Sequence, residues 1–236
     1  MGKTPTFSIS SLKSETSLSD LIHRIGHDIG NPLTSLISLS SLIERSDGDF
    51  KLSEEDLKRY ARTIISDAWK IQGISEKLTL LLSDRGREAE PVDIREAASS
   101  AIRKTLRKNR FSEGDVIVSY GEEPLIALID SAQAEWLIGE LLSNALCASS
   151  KCSPENYTAE LYAAKTGDEI RITVSNYSHP VEVELHTLFE PFVKLHSEGC
   201  GLGLTAAWAV VSRAGGRIEI DYSDEQFTTT VYLRAV

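Results

Sequence analysis

The stretch Leu18-Ser19-Asp20-Leu21-Ile22-His23-Arg24-Ile25-Gly26-His27-Asp28-Ile29-Gly30-Asn31-Pro32-Leu33-Thr34-Ser35-Leu36-Ile37-Ser38-Leu39-Ser40-Ser41-Leu42-Ile43 decides the fold of the first part of this chain. Leu18, Ile22, Ile25, Ile29, Pro32, Leu36, Leu39 and Ile43 follow one another at spacings of 4, 3, 4, 3, 4, 3 and 4. That is an a/d heptad seam and predicts a long helix in coiled-coil-like packing. Ser46-Asp47-Gly48-Asp49 breaks the helix, and Ser53 with Asp56 resembles a capping box with Asp in the usual Glu or Gln position. A second helix is predicted with Leu57, Tyr60, Ile64, Ala68, Ile71, Ile74 or Ser75, Leu78 and Leu81 on one stripe, ending before Asp84-Arg85-Gly86. Residues 18–87 therefore read as a helical hairpin. A lone hairpin leaves much of each stripe wet, so a second copy completing a four-helix bundle is expected. Residues 1–17 are Ser/Thr-rich without periodicity and read as a flexible lead-in.

Beyond Glu88–Pro91, read as a linker, the pattern changes to α/β. Helices are predicted over Asp93–Arg110, Ser131–Ala148 and Leu202–Ala214, the last stopped by Gly215-Gly216. Strands are predicted at Val116–Tyr120, Leu125–Leu128, Thr158–Ala163, Glu169–Ser175, Arg217–Asp221 and Thr228–Leu233. Residues 91–236 thus form a second domain.

Composition excludes several functions. The chain has 236 residues and a net charge of −10, which disfavours sequence-independent nucleic-acid binding. The most apolar stretch, Leu33–Ile43, is too short for a membrane span and carries five hydroxyl residues. Three cysteines, none in a Cys-x-x-Cys pair, suggest a reducing compartment, and the N-terminus lacks an apolar signal core, so a cytoplasmic location is expected.

His27 lies about 200° around the helix from either Ile25 or Ile29 and is expected to face solvent. Asp28 is its neighbour and Asn31 shares its face one turn on. A carboxylate that takes the proton of one ring nitrogen leaves the other nitrogen more nucleophilic; the bland alternative is a solvated His beside a chance Asp. Pro32 inside the helix is expected to disturb the turn near Asp28 and kink the rod. In the second half, Glu140 and Asn144 share a helix face and could hold Mg²⁺ against phosphates. Gly199-Cys200-Gly201-Leu202-Gly203-Leu204 opens a helix, where backbone N–H groups can approach phosphate.

The string His27-Asp28-Ile29-Gly30-Asn31-Pro32-Leu33-Thr34 resembles the phospho-acceptor box of two-component histidine kinases. Glu140-Leu141-Leu142-Ser143-Asn144-Ala145 is similar to the Asn-containing metal box of the histidine kinase and GHKL ATPase group. Leu188-Phe189-Glu190-Pro191-Phe192-Val193-Lys194 resembles the family's Phe box, and the run from Gly199 to Leu204 its second glycine-rich box, with a short lid between Lys194 and Glu198. Two departures stand out. Cys147 replaces the Lys that many members carry shortly after the Asn. Ser175-Asn176-Tyr177-Ser178-His179-Pro180-Val181 replaces the Asp-x-Gly-x-Gly box, so Asn176 would face adenine without a carboxylate charge.

The resemblance spans about residues 18–236. It implies a dimeric antiparallel four-helix bundle followed by an α/β sandwich (Bergerat/GHKL-type) domain. It implies ATP and Mg²⁺ as cofactors, and transfer of the γ-phosphoryl group to His27 with Asp28 as base. Glu140 and Asn144 would organise the metal. Asn176, Phe189, Phe192, Lys194, Gly199, Gly201, Leu202, Gly203 and Leu204 would shape the nucleotide site. Asn31 would support the reverse, phosphatase reaction. The implied partners are a second copy and a response regulator receiver domain, with the sensor in another part of a larger receptor or in a partner. The alternatives are a histidine phosphotransfer protein with a degenerate ATP-binding domain and a non-catalytic dimeric scaffold. Residues 1–90 carry 12 basic and 14 acidic side chains, residues 91–236 carry 13 and 21. Bulk charge therefore cannot attract ATP to the second half, and binding is expected to rest on Mg²⁺ and backbone N–H groups.

Overall fold

The computed structural model describes residues 18–46, 51–82, 88–109, 111–152, 158–181, 183–194 and 200–236. The lead-in 1–17 and Gly199 lie outside the described residues. Helix α1 covers Leu18–Glu44 and α2 covers Glu54–Leu82, and the two pack on each other as a hairpin. Ser53 caps α2: its Oγ accepts from the Asp56 N–H at 3.0 Å. The return bond of a full capping box is replaced, because Asp56 Oδ2 accepts from the Ser53 hydroxyl at 2.7 Å instead of from its backbone. Pro32 is buried, and α1 continues through it as one element rather than breaking. One turn of its carbonyls is tied back locally, with the Thr34 hydroxyl donating to the Gly30 carbonyl at 2.8 Å.

The second half is a sheet with helices on one face. Strands β2 (Val116–Tyr120), β4 (Ala159–Thr166), β5 (Glu169–Tyr177), β7 (Gln226–Arg234) and β6 (Arg217–Ser223) stand in the order β2-β4-β5-β7-β6. Only β2 and β4 run parallel. Alternate residues Leu161, Ala163, Ile170, Ile172, Val174, Val231 and Leu233 point into a core shared with α3 (Ile94–Asn109), α4 (Ser131–Cys152) and α5 (Gly203–Arg213). The opposite face is partly wet, and its side chains pair across strands: Arg171 lies over Tyr162 and Arg217 over Tyr232.

The linker reading of Glu88–Pro91 is corrected. Glu90–Asp93 forms β1, antiparallel to β3 (Ile126–Ile129) in a separate two-stranded sheet. Only Val92 of β1 is buried, so four residues with a Pro and two acids carry no alternation to read. Helix α4 also runs one turn past the predicted Ala148 end, and β4 and β5 are longer than their apolar patterns. Gly215 stops α5 at φ +71°, and a Cβ on Gly216 would fall 2.2 Å from the Tyr232 carbonyl oxygen.

Several contacts join the hairpin to the α/β domain. Arg213 of α5 donates to the Leu80 carbonyl of α2. Lys77 of α2 sits 2.8 Å from Glu140 Oε1 of α4. Ile74 of α2 is buried in a small apolar cluster with Phe192, Cys200 and Leu202, against which Ile25, Ile29, Leu78 and Leu81 also pack.

Candidate functional site

The helical register of α1 puts His27 on the outside of the hairpin, with its side chain 64% exposed. Its Nδ1 lies 3.6 Å from Asp28 Oδ1, an ion-pair distance rather than a hydrogen bond. The Asn31 amide nitrogen lies 3.4 Å from Nδ1 and 3.3 Å from Nε2. The three polar side chains therefore converge on one spot, as the i, i+1, i+4 spacing requires.

Asp28 also faces the other domain, with Lys194 Nζ 3.8 Å from its Oδ2. A cleft of 1270 Å³ opens from there. Asp28 and Asn31 line it on the hairpin side; Glu140, Asn144, Asn176, Lys194, Gly201, Gly203 and Leu204 line it on the other. Phe189, Phe192 and Leu202 do not line it. Phe189 packs against the main core, and Phe192 and Leu202 are buried in the small cluster beneath the cleft.

The glycines have a steric reason. Gly201 stands at φ +65°, and a Cβ there would fall 2.6 Å from the Phe192 Cα. The same segment is pinned by the Phe192 N–H donating to the Gly201 carbonyl at 2.8 Å. Phe192 itself adopts φ +67°, a rare conformation for a bulky residue. At Gly203 a Cβ would fall 2.2 Å from Glu140 Oε1 and 3.3 Å from Asn144 Nδ2. The start of α5 is thereby pressed onto the two polar groups of α4, leaving a cradle of carboxylate, amide and backbone. Among the described residues no three His, Cys, Asp or Glu gather to hold a metal. The pair Glu140 and Asn144 fits Mg²⁺ that arrives with phosphate oxygens completing its shell.

Asn176 stands near the end of β5, opposite Phe227 of β7, and is 5% exposed. Its amide nitrogen donates to the Tyr177 carbonyl at 2.8 Å. Its carbonyl oxygen is thus the end suited to accept from an amino group. Val174, Leu188, Phe227 and Thr229 line the same end of the cleft.

Several site residues escaped the sequence reading. Lys77 is contributed by the hairpin; burial disfavours its charge, but Glu140, Cys200 and Glu76 together outweigh burial and raise its pKa. Lys151 lines the cleft two turns beyond Asn144, on the same wall as Cys147. Asp67, 5% exposed in α2, also lines it. Burial would raise the Asp67 pKa, but hydrogen bonds from Lys70 and Ser35 and the Lys70 charge outweigh burial and lower it. The expectation from bulk charge is also corrected: Arg62, Lys70, Lys77, Arg107, Lys108, Lys151 and Lys194 line the cleft against Asp28, Asp67 and Glu140. The cleft is basic inside an acidic protein, because the acids lie elsewhere.

Two family models match. Residues 17–86 match the His Kinase A (phospho-acceptor) domain, and residues 129–235 match the histidine kinase-, DNA gyrase B- and HSP90-like ATPase domain. The chain belongs to the two-component histidine kinase family. It is 26% identical over 216 residues to a bacteriophytochrome of Pseudomonas aeruginosa, covering 88% of this chain and 28% of that protein. The chain thus spans under a third of that curated relative. The histidine kinase ThkA, solved in complex with the response regulator protein TrrA, shares the fold with a TM-score of 0.70 at 20% identity, over 93% of this chain and 62% of that one. The Acinetobacter baumannii histidine kinase AdeS matches with a TM-score of 0.64 at 17% identity, over 88% of this chain and 97% of that one. Among the described residues of this histidine kinase, no helix is long and apolar enough to cross a membrane.

Proposed function

We propose that this chain is the ATP-dependent catalytic core of a histidine kinase that phosphorylates its own His27 and passes the phosphoryl group to an Asp of a response regulator. One observation carries the reading: Asp28 and Asn31 share a cleft with Glu140, Asn144, Asn176, Gly201 and Gly203. Asn176 would accept the adenine amino group, and Lys151 and Lys77 would face the phosphates. Glu140 and Asn144 would hold Mg²⁺, whose chemistry is to neutralise phosphate charge. Asp28 would take up the imidazole proton and hold the ring. Asn31 would orient water for the reverse reaction on the regulator. The exposed apolar side chains Ile22, Leu33 and Ile37 on one face of α1 support a homodimer through the hairpins. The well-formed cleft argues against a degenerate domain kept only for docking.

The test is incubation with γ-labelled ATP and Mg²⁺. Acid-labile label is expected on the wild type and absent from His27→Gln. A wild type that takes up no label overturns the proposal.

A further inference from the structure

Resting on that kinase reading, we infer that Lys77 is a nucleotide-binding residue supplied by the hairpin. It exchanges Glu140 for the phosphates of a magnesium nucleotide, and the nucleotide thereby joins α2 to the α/β domain. Among the described residues, the carboxylates that line the cleft are Asp28, Asp67 and Glu140. Each faces a lysine of its own. Lys194 Nζ lies 3.8 Å from Asp28, Lys70 Nζ 2.8 Å from Asp67 and Lys77 Nζ 2.8 Å from Glu140. Of these pairs only Lys77 and Glu140 both span the two domains and meet at hydrogen-bond distance.

Glu140 is crowded on the oxygen that meets Lys77. Lys77 contacts Oε1, and a Cβ on Gly203 would fall 2.2 Å from the same atom. Glu140 can serve a metal only with a second cation set against the Lys77 ammonium, and one carboxylate does not neutralise both. Among the described residues the other carboxylates of the cleft are already paired. Glu76, next to Lys77 on α2, accepts from the Gln72 amide at 2.8 Å on the exposed surface. Water is a poor refuge as well, because the Lys77 side chain is only 19% exposed. The anions that come with the metal are the phosphates, and Lys77 already lines the cleft beside Glu140, Asn144 and Gly203.

The exchange asks little of the fold. Ile74, one turn before Lys77, is buried with Phe192, Cys200 and Leu202. The carbonyl of Leu80, just after it, accepts from Arg213. The backbone of α2 is thus held on both sides of Lys77, and only its flexible four-carbon stem has to turn. In contact with phosphate, Lys77 ties α2 to what α4 and α5 hold. Nucleotide binding and domain docking then strengthen each other by the same factor. Asn176, at the end of the cleft lined by Val174, Phe227 and Thr229, takes no part in the exchange.

Calorimetric titration of the full chain tests the inference, with adenosine and, separately, with the Mg²⁺ complex of an ATP analogue that cannot transfer its γ-phosphoryl group. Lys77→Met is expected to weaken the magnesium nucleotide about tenfold and to leave adenosine within about twofold of wild type. Lys77→Arg is expected to keep most of the affinity. Hydrogen exchange along α2 is expected to slow on adding the magnesium nucleotide to wild type and to stay unchanged in Lys77→Met. Wild-type or tighter affinity of Lys77→Met for the magnesium nucleotide overturns the inference and makes Lys77 a competitor of the metal, with the kinase reading intact. An equal loss for adenosine overturns it as well, because Lys77 then only supports packing. A wild type that binds no magnesium nucleotide overturns the kinase reading itself and this inference with it. Lys77→Gln replaces Lys77→Met should the latter fail to fold, with the same pattern expected.

Discussion

Gly201 carries two demands at once, a left-handed backbone and a surface with no room for a side chain. Gly167 shares the first demand at φ +62° but has nothing within 4 Å of where its Cβ would lie. Gly167→Ala is therefore expected to cost about 1 kcal/mol for the backbone alone, and Gly201→Ala clearly more. Thermal melts of the two variants compare the costs, and nucleotide titration is expected to show lost affinity only for Gly201→Ala. Asp67 gives a pH signature at the same scale. Its pKa is lowered on folding, so its stabilising contribution is present above the unfolded carboxyl value near 3.9 and is lost as pH falls through the folded value. Denaturant melts between pH 5 and 2 are expected to show this loss, and Asp67→Asn to be less stable at pH 5 with a flatter profile below. An unchanged profile in Asp67→Asn would remove Asp67 from the account.

The elements meet at α2. Its stripe was legible because helix periodicity is written in the order of residues, and Ile64, Ile71 and Leu78 repeat at the required spacing. Its second use was not legible. Lys77 reads as an ordinary solvated lysine until α4 brings Glu140 to 2.8 Å, with the Lys77 side chain 19% and the Glu140 side chain 12% exposed. A double-mutant cycle of Lys77→Met and Glu140→Gln is expected to give a coupling above the ~0.2–1 kcal/mol of exposed pairs, because both groups are largely out of water. A coupling near zero, read from chemical denaturation of the domain-docked protein, would mean that the pair is incidental. The same pair has a consequence for the nucleotide. Glu140 is held by a hairpin lysine, so whatever loosens the hairpin's grip also changes the carboxylate proposed to face the metal.

At the scale of the whole molecule, charge and apolar surface are distributed against the averages. A net charge of −10 hides a cleft with more cations than carboxylates. The a/d seam of α1 likewise serves two neighbours: Pro32 is buried within the hairpin, whereas Ile25 and Ile29 reach the cluster under the cleft. Ile22, at the edge of that seam and 62% exposed, joins Leu33 at 46% and Ile37 at 60% in a second face proposed to meet another copy. Ile37→Asp is expected to turn a dimer into a monomer, measured by analytical ultracentrifugation, without altering the melt of the α/β domain. A dimer that survives the substitution would move the interface elsewhere.

The order of residues alone determined the hairpin, the outward-facing His27, the run of boxes and the alternation of the central strands. Each of these depends on spacing within one element or on side chains a few positions apart, where helical and pleated geometry convert sequence distance directly into direction. Only the tertiary structure decided that β1 pairs with β3, that Lys77 meets Glu140, that Phe192 turns into the left-handed region to pin Gly201, and that the cleft is basic. Those features join residues far apart in the chain, and no local periodicity encodes a partner that the packing of the hairpin on the sheet domain alone brings within reach.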